Sequence, residues 1–154
     1  MNNEEWKRAK EYALKSLTRC DQTEWQIRQK LERKGYSPQI IEKVLLFLKD
    51  YQYIDDQRFL EQYIACHCSR MNRRQLLEHL YRKGIYQEDI DEYLERYQYD
   101  EGRLLQKAAE KYMKNKDWSD PVMRRKAIAY LMQKGFSYTM IRSVINMEEV
   151  PEFC

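Results

Sequence analysis

The most obvious chemical motif of this chain is Cys66-His67-Cys68, three potential metal ligands in a row. A structural zinc site needs its ligands directed at one point. The flanking apolar residues predict a helix here, and helical residues two apart point about 200° away from each other. The two thiolates therefore cannot face one ion, and no second Cys/His cluster is close in sequence. We predict no metal site and expect the motif to be buried by helix packing.

Asp55-Asp56 has the composition of a carboxylate pair that could hold a metal in a nuclease. Two acids directly ahead of an apolar helix are also what a helix cap and the positive end of the helix dipole favour. Only His67 and His79 are acid–base groups near neutral pH, and no glycine-rich phosphate loop or Ser/His/Asp motif is recognisable. We therefore predict a protein that is not an enzyme, with no catalytic residue and no cofactor; a nuclease is the third alternative.

A Lys-Gly step occurs at Gly35, Gly84 and Gly135. Glycine lets backbone amides approach a phosphate, but each of these glycines follows a helical pattern and so lies at the negative end of a helix. A helix stop in the left-handed conformation is the preferred interpretation.

The same steps belong to three copies of one pattern, separated by 49 and 51 residues, each with an isoleucine six residues after the glycine. A period near 50 residues indicates one supersecondary unit used three times. Apolar residues at helical spacing predict three helices in each unit. We expect an all-α fold of three tandem three-helix repeats, resembling helix-turn-helix modules and forming an elongated, curved rod. The predicted repeats are 1–52, 53–99 and 100–154, the last with a short C-terminal tail.

Polar residues ahead of the apolar patterns predict where the helices begin. For the second helix, Asp21 opens a sequence similar to a capping box. The other predicted starts are Ser37-Pro38, Asp55-Asp56, Asn72, Asp100, Asp120-Pro121 and Ser137.

The bulk composition limits the function classes. The chain has 28 basic and 25 acidic residues among 154, a net charge of +3 that is too balanced to demand nucleic-acid binding. The longest apolar run, Val44 to Leu48, is too short to span a bilayer, and the polar, acidic amino terminus does not read as a signal peptide. We expect a cytoplasmic monomer with free thiols and no membrane association.

Basic residues recur at equivalent positions of the repeats. Arg33 and Arg82 lie two residues before their glycines, and Arg74 and Arg125 share another position. A solvated basic face is one explanation; a surface for phosphate or for an acidic protein is the other. The candidate binding residues are Arg33, Arg70, Arg73, Arg74, Arg82, Lys83, Arg124 and Arg125.

The three Leu-x-x-Lys-Gly-apolar copies and the segment Tyr53–Phe59 together resemble the RecX regulatory proteins of bacteria, over residues 9–147. One departure is the turn Ser69–Arg73, where family members usually carry a glycine. The resemblance implies tandem three-helix repeats that lie in the groove of the RecA–DNA filament. It implies a non-enzymatic regulator that inhibits strand exchange and ATP hydrolysis, in DNA repair, recombination and the SOS response. RecA in its DNA-bound filament is then the expected partner.

The alternative is a direct DNA-binding protein that reads single- or double-stranded DNA with its third helices. Glu88–Glu92, on the third helix of the second repeat, argues against it because acidic side chains are repelled by phosphates.

Overall fold

The computed structural model describes residues 3–97 and 99–145, and over these residues all regular structure is helical. The helices are α1 (Asn3–Arg19), α2 (Glu24–Arg33), α3 (Pro38–Asp50), α4 (Asp56–His67), α5 (Arg73–Arg82), α6 (Gln87–Tyr97), α7 (Glu101–Tyr112), α8 (Pro121–Lys134) and α9 (Tyr138–Ile145). The prediction of an all-α fold with three helices in each of three repeats is confirmed for the part of the chain described.

The helices form two compact units. The first unit comprises the chain up to Ala65 together with His79–Tyr93, and the second comprises Cys66–Glu78 together with the chain from Leu94 onward. Helix α5 therefore contributes its N-terminal part to the second unit and its C-terminal part to the first. The repeat boundaries 1–52, 53–99 and 100–154 do not coincide with these units, and they stay a prediction.

The core of the first unit is built on α1, α2 and α3. Ala9 and Ala13 give α1 a face small enough for close packing, and both are buried. The apolar stripe predicted for α3 is buried as well. The buried residues of this cluster are Ala9, Ala13, Ile27, Leu31, Ile40, Ile41, Val44, Leu45, Leu48 and Ile54.

In the second unit, α7, α8 and α9 form the corresponding core. Leu105 and Ala109 of α7 pack with Leu131 of α8 and Ile141 of α9. These positions follow the helical spacing of the sequence, because one face of each helix must be removed from water for the trio to fold.

The three repeated glycines adopt the left-handed conformation, with φ of 87° at Gly35, 89° at Gly84 and 118° at Gly135. At each one, a backbone amide just beyond the helix bonds back to the last turn; the Gly84 amide, for example, donates to the Tyr81 carbonyl at 2.9 Å. The interpretation of the Lys-Gly steps as helix stops is confirmed.

Most of the predicted helix starts are confirmed by side-chain caps. Ser37, Asn72, Asp100, Asp120 and Ser137 each accept a hydrogen bond from an amide two or three residues on. In the Asp55-Asp56 pair, it is Asp55 that caps α4, since its Oδ1 accepts from the Arg58 amide at 3.1 Å.

The prediction that Asp21 caps α2 is wrong. The cap is Thr23, whose hydroxyl accepts from the Gln26 amide at 3.2 Å while the Gln26 side chain accepts from the Thr23 amide at 3.0 Å. The reciprocal capping box needs Thr and Gln three residues apart, and that pair starts the helix two residues later than Asp21 would.

Gly35 and Gly84 have nearly the same φ but different surroundings, so they offer a matched pair of substitutions. A Cβ at Gly84 would lie 2.3 Å from the Cβ of Trp25, whereas at Gly35 nothing lies within 4 Å. Gly35→Ala should cost about 1–2 kcal/mol for the left-handed backbone alone. Gly84→Ala should cost about 1–3 kcal/mol more because Trp25 must move. Urea unfolding at neutral pH measures both; equal losses would contradict the close contact with Trp25.

Candidate interaction grooves at the helix-end junctions

In the first unit, the N-terminus of α2 meets the C-terminus of α5. The Thr23 hydroxyl, fully buried, donates to the carbonyl of Lys83, the residue before Gly84. The amide of Glu24, the first residue of α2, donates to Asp56 Oδ1 at 2.9 Å. The small residue Gly84 is required here because Trp25 lies directly against it.

In the second unit, the same junction joins the N-terminus of α5 to the C-terminus of α8. Asn72 Nδ2 donates to the carbonyl of Lys134 at 2.9 Å, while Asn72 Oδ1 caps its own helix by accepting from the Gln75 amide at 3.0 Å. The amide of Arg73 donates to Glu101 Oε2 at 2.7 Å. Each of these atoms has a counterpart in the first unit. Asn72 corresponds to Thr23, 49 residues earlier, and Lys134 corresponds to Lys83, 51 residues earlier.

We call these two arrangements the helix-end junctions. A helix N-terminus has amides without intrahelical acceptors, and a C-terminus has carbonyls without donors. At each junction one cap residue serves both ends, and the positive end of one helix dipole faces the negative end of another. The carboxylates of Asp56 and Glu101, each the first residue of its own helix, take the first amide of the capped helix.

Two side chains near the junctions have pKa values shifted from the ordinary ones. Burial raises the pKa of Asp56, an effect that the hydrogen bond from the Glu24 amide opposes in part. Burial, followed by the nearby Glu101 charge, raises the pKa of Tyr99, whose hydroxyl donates to the carbonyl of Met71. Tyr99 therefore stays protonated and holds the turn ahead of α5 in place.

A groove lies beside each junction. Groove one, in the first unit, has a volume of about 400 Å³. Its cations are Lys30, Arg33 and Lys83, with Asp21 as the acidic residue of its lining. The remaining lining residues are Cys20, Gln22, Trp25, Gln26, Gln29 and Phe59.

Groove two, in the second unit, has a volume of about 300 Å³. It is lined by four cations, Arg70, Lys107, Lys111 and Lys134, and by the polar side chains of Asn72 and Gln75. Its remaining lining is Leu104, Ala108, Tyr130 and Phe136. Among residues 3–97 and 99–145, the lining of this groove contains no carboxylate.

The eight predicted binding residues have different surroundings in the structure. Arg33 and Lys83 come together in groove one, and Arg70 lines groove two. Arg82 and Arg125 are exposed on α5 and α8.

The other three arginines have contacts within the protein. Arg74 Nη2 donates to the Gln133 carbonyl at 3.0 Å, so this side chain supports the junction. Arg73 serves the junction through its backbone amide, and Arg124 lines a separate cavity beside Trp118.

Sequence reasoning missed four lysines that line the grooves: Lys30, Lys107, Lys111 and Lys134. Lys107 and Lys111 are four residues apart on α7, which places them on one face of the helix and was visible in the sequence. The Lys-Gly step also contained a signal, since Lys83 directly follows α5 and Lys134 ends α8, and each lines a groove.

The structure describes where both chemical motifs of the sequence lie, Cys66-His67-Cys68 and Asp55-Asp56. The expectation that Cys66-His67-Cys68 is buried by helix packing is wrong, because Cys66 is exposed and Cys68 is only partly buried, with its Sγ 3.7 Å from the Tyr97 hydroxyl. Asp55 and Asp56 serve as caps. Within the described ranges, no group of three or more His, Cys, Asp or Glu side chains is placed to hold a metal ion. None of the helices described is both long enough and apolar enough to cross a membrane.

Comparison with known proteins identifies the fold family. The model of the first three-helix domain of RecX matches residues 9–48, and the model of the third matches residues 100–145. A Clostridium beijerinckii protein named regulatory protein RecX is 31% identical over 148 residues, covering 94% of this chain and 70% of the relative. The chain belongs to the RecX family. RecX proteins are named as regulatory proteins.

Other RecX relatives vary in length. The regulatory protein RecX of Clostridium tetani is 38% identical over 138 residues, 87% of this chain, but the match spans only 64% of that relative. The one from Vibrio campbellii is 28% identical over 142 residues, 92% of both chains.

Two crystal structures share the fold. RecX from Lactobacillus salivarius superposes with a TM-score of 0.79 at 23% identity, covering 94% of this chain and 96% of that one. A second structure, titled regulatory protein RecX, gives a TM-score of 0.76 at 24% identity over 91% of this chain and 71% of that one. The helical architecture of RecX is thus shared at low identity.

Asn72→Asp tests the junction in the second unit. An aspartate keeps the cap acceptor for Gln75 but loses the donor to Lys134 and turns a negative oxygen toward that carbonyl. We expect a loss of about 1–3 kcal/mol in the free energy of unfolding. Ser137→Asp is the control, because Ser137 is an exposed cap and the change should stay within about 0.5 kcal/mol. Chemical denaturation measures the free energy of unfolding of both variants. Equal and small losses in Asn72→Asp and Ser137→Asp would contradict a hydrogen bond donated by Asn72.

Asp56→Asn should reveal the raised pKa of Asp56 through the pH dependence of stability. A carboxyl whose pKa is raised on folding binds more protons folded than unfolded, so its contribution falls as pH rises from the ordinary aspartate range through the raised value. The wild type should therefore lose stability relative to Asp56→Asn over that window. Asp117→Asn is the control with opposite slope, since hydrogen bonds from Ser119 lower the pKa of Asp117. Urea midpoints across acidic pH measure this; parallel curves would contradict it.

Proposed function

We propose that this protein is a non-enzymatic regulator that binds RecA in its DNA-bound filament and inhibits strand exchange and ATP hydrolysis. The observation that carries the proposal is its membership of the RecX family, together with cationic grooves that recur at the helix-end junctions. The predicted binding residues Arg33, Lys83 and Arg70 line these grooves.

Groove one carries side chains suited to binding the surface of another protein. Arg33 and Lys83 offer charge-assisted hydrogen bonds to carboxylates, and Trp25 is 45% exposed beside them. Arginine with tryptophan is a combination typical of the residues that dominate binding energy at protein interfaces. Arg82, on the same helix end as Lys83, extends the positive surface.

Repetition turns several weak contacts into tight binding to a polymer. Once one repeat is bound to a protomer, the others meet further protomers at a high effective concentration. A regulator that bridges protomers restrains the movements that a filament needs for ATP hydrolysis and strand exchange. This mode of action requires positioning and charge, and no catalytic group.

Direct binding of DNA is the second candidate function. The cations of the two grooves favour it, since lysine and arginine neutralise phosphates. Helix α6, the reader of the second repeat in that scheme, carries Glu88 and Asp89 in its first turn, which disfavours insertion into a major groove.

The test compares RecA-driven strand exchange and DNA-dependent ATPase with and without the purified protein. We expect inhibition by the wild type and a loss of inhibition of about tenfold or more in Arg33→Glu/Lys83→Glu. Lys7→Glu/Lys15→Glu, two exposed lysines of α1, is the control with the same change of net charge. If the wild type did not inhibit RecA at stoichiometric amounts, that result would contradict the proposal. Steeply salt-dependent DNA binding without RecA would favour the second candidate.

A further inference from the structure

We infer that groove two is a binding site for an acidic peptide segment that carries an apolar side chain. The four cations of this groove come from three places in the chain: Arg70 from the turn before α5, Lys107 and Lys111 from α7, and Lys134 from the end of α8. All four side chains are exposed, and no ion pair to any of them is found among the residues described. Four like charges around about 300 Å³ repel one another, which an anionic ligand would relieve.

Part of the groove lining is apolar. Leu104 and Ala108 lie on the same face of α7 as the two lysines, and Phe136, also in the lining, is buried with 7% exposure. The polar side chains of Asn72 and Gln75 complete the lining. A ligand that fills this groove needs carboxylates at its edges and one hydrophobic group between them.

A peptide fits these features better than a nucleic acid strand. Proteins that bind single strands offer free aromatic faces on which bases stack. Tyr130, an aromatic side chain of the lining, already stacks on Tyr112 with 4.5 Å between ring centroids. The ammonium of Lys134 also lies over the Tyr130 ring, 5.4 Å from its centroid. The Tyr130 ring is therefore engaged within the protein, and Leu104 and Ala108 add aliphatic groups to the lining.

The two grooves differ at one equivalent position in a way that predicts selectivity. Two residues before the cap, groove one has Asp21 and groove two has Arg70. Phe59 in groove one corresponds to Leu104 in groove two, and Lys83 corresponds to Lys134. An acidic ligand should therefore prefer groove two, because only groove one carries a carboxylate in its lining among the residues described.

The experiment measures fluorescence anisotropy of a labelled short peptide of glutamates around one phenylalanine, titrated with the full chain and no RecA. We expect saturable binding that weakens with salt, and about tenfold weaker binding of the same peptide with serine in place of phenylalanine. Lys107→Glu/Lys111→Glu and, separately, Arg70→Asp should each weaken binding by about tenfold or more. Lys7→Glu/Lys15→Glu should bind as the wild type does. Circular dichroism and urea unfolding of every variant establish that it is folded.

Three results would overturn the inference: no binding of the glutamate–phenylalanine peptide by the wild type, equal binding by the groove variants and the wild type, or equal binding of the serine peptide. Preferential binding of an oligothymidine strand through the same lysines would assign groove two to nucleic acid instead. Because RecA is absent from this assay, its outcome does not depend on that of the inhibition test.

Discussion

The structure depends on a cap residue shared between two helices. Thr23 and Asn72 each begin one helix and donate to the last turn of another, at Lys83 and Lys134. Both residues are buried, with 0% and 3% exposure, so a polar side chain without these partners would be costly there. In each unit this bond joins the start of one helix to the end of another that stops at a Lys-Gly step.

This constraint explains why cationic side chains gather beside the junctions. At each junction the Lys-Gly step that ends one helix (α5 or α8) brings its lysine to the start of an earlier helix (α2 or α5). The turn ahead of that earlier helix supplies Asp21 or Arg70. The two grooves therefore share a backbone arrangement but differ in charge at this position, with Asp21 in groove one and Arg70 in groove two.

Much of the fold was predictable because it follows from local rules. Helical spacing, polar caps and the glycine stops indicated all nine helices that the structure describes, and the start of α2 was wrong by only two residues, since Thr23 and not Asp21 is the cap. The junction could not be predicted, since nothing in the sequence near Thr23 indicates that its hydroxyl meets a carbonyl 60 residues away. The same holds for Arg74, which looked like an outward cation and instead donates to Gln133.

Amide hydrogen exchange measures the shared helix ends most directly. The first amide of an ordinary helix has no intrahelical acceptor and exchanges quickly. In this protein the Glu24 and Arg73 amides donate to Asp56 and Glu101, so they should be protected about as well as the interior of α2 and α5. If both exchanged as fast as amides of an unfolded peptide while those interiors stayed protected, the junctions would not exist as described.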